Sequence, residues 1–125
     1  MGFLDGLMNA LTGGVGKSLQ AGQESREEFR RIWYATYQSN PPEAALQSIA
    51  GVSVAIVTHM NNGNHSYGAQ KIEADMKIYA DAVGWDREKI ELGTVFLLMK
   101  CSDGTGNVPR QLQWAVEPIS SVLLR

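Results

Sequence analysis

Turn-forming residues cut this chain into segments of helical length, and that punctuation limits the possible folds more than any other feature. Asn40-Pro41-Pro42-Glu43, Asn61-Asn62-Gly63-Asn64, Gly84-Trp85-Asp86 and Ser102-Asp103-Gly104-Thr105-Gly106-Asn107 stand between stretches whose apolar residues recur at steps of three and four. Asn40-Pro41-Pro42-Glu43 carries the clearest start signal: an Asn cap, a proline whose φ is already helical, and an acid near the positive end of the helix dipole. The helix it opens is expected to run to about residue 60. Leu46, Ile49, Ala50, Val52, Val54, Ile56 and Val57 leave it little polar face, which predicts a buried central helix. The β-branched residues in 52–57 also suit a strand.

The other segments follow the same rules. Ser25-Arg26-Glu27-Glu28 has capping-box spacing and predicts a helix over about 25–38, with Phe29, Ile32, Trp33 and Thr36 as its apolar stripe. A third helix is expected over 67–83, with Ile72, Met76, Tyr79 and Val83 inward and Gly84 as its C-terminal cap. Asp86 should cap a fourth helix that carries Ile90, Val95, Leu97 and Leu98 inward to about Cys101. Pro109 opens a last one, with Leu112, Val116, Ile119 and Leu123 inward, and Pro118 should kink or divide it. The pattern predicts an all-α fold, a compact bundle of about five helices over residues 23–125.

Residues 1–22 differ from the rest. They hold six of the 13 glycines but only two charged side chains, Asp5 and Lys17. Phe3, Leu4, Leu7, Met8 and Leu11 recur at i, i+1, i+4, i+5 and i+8, one apolar side of a short amphipathic helix. Helices under about 12 residues rarely hold alone in water, so this arm needs a surface. Peripheral membrane contact is the less favoured surface, because the cationic face that anchors such helices is missing. A groove on a protein partner, or self-association with another copy, suits it better.

At an offset of 41, residues 53–63 lie over residues 94–104: an apolar helix, one basic or imidazole side chain, a polar turn ending in glycine, then another amphipathic segment. Two quasi-repeated helical hairpins stacked face to face would bury both apolar stripes in one core. This duplicated pattern, with Asn62-Gly63 and Asp103-Gly104 at its turns, resembles the tellurite-resistance (TerB-like) helical proteins. The stretch Ala82-Val83-Gly84-Trp85-Asp86 and the opening Met1-Gly2-Phe3-Leu4-Asp5 are similar to members of that family, and the likeness covers residues 45–124. It implies a helical stress-response protein whose turns carry metal ligands, here Asn62 and Asp103. Asn62 replaces the family's aspartate, and no acid follows Asp103 until Glu117.

Several kinds of chemistry lack their residues. Gly13-Gly14-Val15-Gly16-Lys17-Ser18 suggests a phosphate loop, but Leu11 stands where the first glycine belongs and no buried strand precedes it. A net charge of −2 with pI near 5.6 gives no basic face for nucleic acid, and Glu27 and Glu28 offset Arg26, Arg30 and Arg31. Cys101 alone forms no intrachain disulfide, and the opening residues lack the charged start and cleavage site of a signal peptide; both features predict a cytoplasmic protein. Apolar stretches as short as 54–57 and 95–99 predict no membrane span. His59 and His65 supply two ligands where zinc needs four, and Asp103 is the only anion in the 61–64 and 102–107 turns, few for a divalent cation. Cys101 ends an apolar helix, where a free cysteine behaves as a small hydrophobe.

No catalytic set is read, and no cofactor is implied beyond that divalent cation. The expected role is a non-enzymatic interaction or scaffold protein that binds its partner through Phe3, Leu4, Leu7, Met8 and Leu11, with Tyr34 and Tyr37 as further contacts. A metal-binding protein using Asn62 and Asp103, or a structural subunit of a phage or secretion assembly, is the alternative.

Overall fold

The computed structural model describes residues 15–125, so Phe3, Leu4, Leu7, Met8 and Leu11 lie outside the described residues. Five α-helices and no strand occur among those described: α1 Val15–Tyr37, α2 Glu43–Asn62, α3 His65–Ala82, α4 Arg87–Cys101 and the short α5 Val116–Ser120. A 3₁₀ segment, Arg110–Ala115, leads into α5, and another, Ser121–Leu124, follows it. The all-α fold follows the punctuation, and the run at 52–57 is helical.

Helix α1 departs most from expectation, because it starts ten residues before the predicted box at Ser25. Ser25 does not cap it; the side chain is buried in mid-helix, and its Oγ accepts a 2.8 Å hydrogen bond from Ser53 Oγ on α2. Residues 15–22, read as the end of the arm, form the first two turns. The buried stripe is Ser18, Ala21, Gly22, Ser25, Phe29 and Trp33, while Ile32 and Thr36 face outward. Its first half is small for a reason: a Cβ on Gly22 would sit 2.7 Å from Val54 Cγ2 and 3.2 Å from the Ala50 carbonyl oxygen, so α1 lies directly on the α2 backbone. In its second half, Phe29 anchors the core with ring contacts to Trp33 at 6.0 Å, Tyr79 at 5.9 Å and Phe96 at 5.2 Å.

Helix α2 is central, as predicted. Ala45, Leu46, Ile49, Val52, Ala55, Ile56 and Val57 are all buried. Over residues 43–60 it is long and apolar enough to cross a membrane by length and composition, a property the short apolar stretches do not show. Half of that window is buried inside the domain, the behaviour of a core helix. Pro42, not Asn40, occupies its N-cap position, and the Pro42 carbonyl accepts from Ala45 N at 3.0 Å.

Helix α3 presents Ile72, Met76, Tyr79 and Val83 inward as expected, and starts at His65, two residues early. It ends in a Schellman arrangement: Trp85 N donates to Ala80 O, Gly84 N donates to Asp81 O, and Gly84 holds φ +69, which glycine adopts at little cost. The Asp86 carboxylate then caps α4, accepting from Glu88 N at 3.0 Å and Lys89 N at 3.3 Å. The first hairpin is thus two full helices. The second returns as the 3₁₀, α and 3₁₀ segments, which bury Leu112, Ala115, Pro118, Ile119 and Val122, with Pro118 inside the short α5. Val116 and Leu123, expected inward, are half-buried.

Candidate interaction surface

Helices α1 and α4 lie side by side in opposite directions. Tyr37 Oη donates to Glu88 Oε1 at one end, Phe29 meets Phe96 in the middle, and Lys100 Nζ donates to Glu28 Oε2 at the other. Lys89 Nζ also stands 5.7 Å above the Trp33 ring and 5.4 Å above that of Tyr37. These contacts fix the rotation of α4 about its axis.

That rotation decides which apolar residues are left outside. The inner stripe of α4 is Ile90, Gly93, Thr94, Leu97 and Cys101, with Phe96 turned toward α1. Gly93 is inward because the Tyr79 ring occupies its side-chain space: a Cβ there would come within 2.6 Å of Tyr79 Cε2 and Cζ. Thr94, fully buried, takes another inward position. Val95, expected in the core, is therefore 51% exposed, and Leu98 is half-buried. Val95 and Met99, at i and i+4, form a short outward apolar stripe, with Met99 69% exposed, whereas Leu92 is half-buried against the core. The sequence carried one sign of this face. Apolar residues occur all round α4, whereas a helix buried on one side needs only one such stripe.

Tyr34 points away from the core at 54% exposure, and Tyr37 is half-buried between Trp33, Glu88 and Lys89. Burial, with the nearby Glu88 carboxylate adding to it, raises the Tyr37 phenol. Tyr34 is thus the tyrosine open to a partner, and Tyr37 ties α1 to α4.

The remaining candidate residues are engaged locally. Asp103 Oδ1 accepts from Thr105 N at 2.9 Å and from Thr105 Oγ1 at 2.6 Å, and these bonds hold its carboxyl below the ordinary value. Asn62 ends α2, and its side chain lies outside the described ones. No group of three or more His, Cys, Asp or Glu side chains that would hold a metal ion occurs among the described residues. Cys101 is fully buried, and desolvation pushes its thiol up to about 12, so almost no thiolate nucleophile exists at neutral pH.

Both histidines gather where α2 meets α3. The His59 ring meets Tyr67 edge-on at 5.0 Å, and His65 stacks on Trp114 at 4.9 Å with only 4° between the planes. Gly68 makes room for this corner, since a Cβ there would lie 2.8 Å from both His59 Cβ and Trp114 Cζ3. The aromatic packing pins the C-terminal segment to α3.

No family model, curated protein or solved structure matches this chain.

Proposed function

We propose that this protein is a non-enzymatic helical interaction module that engages a protein partner through two apolar surfaces, the arm residues Phe3, Leu4, Leu7, Met8 and Leu11 and the outward stripe of α4. The observation that carries the reading is the exposure of Val95 and Met99, one turn apart on a helix whose inner face is already buried. An apolar stripe on a helix that packs elsewhere through aromatic, cation–π and ionic contacts is a surface suited to a partner. Tyr34 adds an exposed aromatic on the neighbouring helix. The likeness of residues 45–124 to TerB-like proteins supplies the setting, a cytoplasmic stress-response role of the tellurite-resistance kind.

An affinity capture with the full chain tests this. One partner retained by the wild type and lost by both Leu7→Glu and Met99→Glu is the expected result; equal retention by all three chains overturns the reading.

A further inference from the structure

The rotation of α4 separates its two sulfur side chains, Met99 and Cys101, burying the cysteine and leaving the methionine open. We infer that Met99 is an oxidation site, the residue through which this protein responds to peroxides, its thioether becoming a sulfoxide while Cys101 stays a thiol. A cysteine reacts with peroxide as its thiolate, which needs both ionisation and access. Cys101 has neither: it is fully buried, and desolvation pushes its thiol up to about 12. A thioether has no proton to lose, so access alone decides its reactivity. Among the methionines of the described residues, Met76 is fully buried and Met60 is half-buried against the core, whereas Met99 is exposed, with Val95 one turn back exposed beside it.

Hydrogen peroxide is the simplest oxidant of the class. The sulfur lone pair attacks one peroxide oxygen, an S–O bond forms as the O–O bond breaks, and the sulfur loses two electrons. The second oxygen leaves as water, carrying both protons. The product places a strong hydrogen-bond acceptor where the thioether sulfur accepted only weakly. At Met99 that oxygen meets water, so the core is untouched; at Met76 it would enter the core. The surface of Val95 and Met99 thus turns from apolar to polar with the helices unmoved. Two thiols reverse the change through methionine sulfoxide reductases, one enzyme for each epimer, with a disulfide and water as the other products. The effect on a partner rests on the interaction-module reading; the oxidation site does not.

The test treats the native full chain with hydrogen peroxide and follows each sulfur by peptide mass spectrometry. Met99 is expected to gain one oxygen at least about tenfold faster than Met76, which reacts only when the core opens, and Cys101 to remain a free thiol. In denaturant the two methionines should react at similar rates. The oxidised chain should keep its helical circular dichroism and leave a hydrophobic-interaction column earlier than the untreated one, and the reductases should reverse that shift. Met99→Leu, apolar but without sulfur, should show no such shift. Met99 reacting no faster than Met76, Cys101 reacting first, or the same shift in Met99→Leu overturns the inference. In the affinity capture, peroxide should release the partner from the wild type and leave retention by Met99→Leu at its untreated level. A full chain that shows the shift but captures no partner would remove the interaction-module reading and leave the oxidation site standing.

Discussion

At Gly93 the Tyr79 ring fills the volume that any side chain would need, with its Cε2 and Cζ carbons 2.6 Å from an added Cβ. Alanine in mid-helix usually gains about 1 kcal/mol over glycine through backbone entropy. Here the gain meets a ring that is fully buried and whose hydroxyl donates to the Lys89 carbonyl, so it has little room to yield. Overpacking of this kind costs about 1–3 kcal/mol, and Gly93→Ala should lower the melting temperature; a rise would show that the ring moves aside. Asp75 makes the opposite kind of residue-level case. Its side chain is only 8% exposed, its Oδ1 is 3.4 Å from Lys71 Nζ, and its Oδ2 lies against Gly51 of α2 with no hydrogen-bond partner. Burial raises the carboxyl above its ordinary 3.8, and Lys71 opposes the shift only in part. A raised carboxyl favours the folded state while protonated. The contribution is therefore whole below 3.8 and is lost as pH climbs through the higher folded value. Asp75→Asn removes the charge at nearly constant shape. It is expected to raise the melting temperature at pH 7 and to flatten its fall above pH 4. An unchanged pH profile in Asp75→Asn would place the titrating group elsewhere.

At the scale of elements, α1 shows why a stripe of small residues escapes a reading by hydrophobic period. Ser18, Ala21, Gly22 and Ser25 look like a glycine-rich approach to a helix, and Ser25-Arg26-Glu27-Glu28 has cap spacing, so the helix is expected to begin where the large apolar residues begin. What burial requires of that half is closeness to α2, and small side chains meet that requirement. The hydroxyl pair at the contact gives a measurable consequence. Ser25→Ala leaves Ser53 Oγ still donating to the Ile49 carbonyl at 3.3 Å, whereas Ser53→Ala leaves Ser25 Oγ buried without that bond. Each substitution should cost about 1 kcal/mol, and the double variant less than the sum, since the shared bond is lost only once. Strict additivity in a double-mutant cycle would mean that the two hydroxyls do not interact. Elements with strong punctuation were legible. Asp86 caps α4, Gly84 closes α3, and α2 is the buried helix its composition predicts. Helix α4 was legible as a helix but not in its rotation. Nothing in its own sequence reports that the Tyr79 ring takes the space at Gly93 and that Thr94 is buried, yet those facts turn Val95 and Met99 outward and create the candidate surface.

For the whole molecule, the C-terminal segment decides whether the four long helices share one closed core. Residues 110–124 form no long helix, yet Leu112, Ala115 and Ile119 are fully buried and Val122 nearly so. Two further contacts tie the segment down: Trp114 lies on Gly68 under His65, and Arg87 Nη1 donates to the Leu123 carbonyl at 3.0 Å. Burying Leu, Ile and Val side chains contributes about 1.5–3 kcal/mol each, so Leu112, Ile119 and Val122 together account for about 6 kcal/mol. A domain of this size has a net stability of about 5–15 kcal/mol, so a chain ending at Asn107 would lose much or all of its margin. The four long helices in such a chain would keep their local signals, the Asp86 cap and the Gly84 closure among them, but not the cover over the core. The expected outcome is a molten state: far-ultraviolet circular dichroism largely retained, near-ultraviolet signal from Trp33 and Tyr79 lost, and strong binding of a hydrophobic dye. A truncated chain that instead melts cooperatively, with a near-ultraviolet spectrum like that of the full protein, would show that α1 to α4 close the core by themselves and that residues 108–125 only cover it.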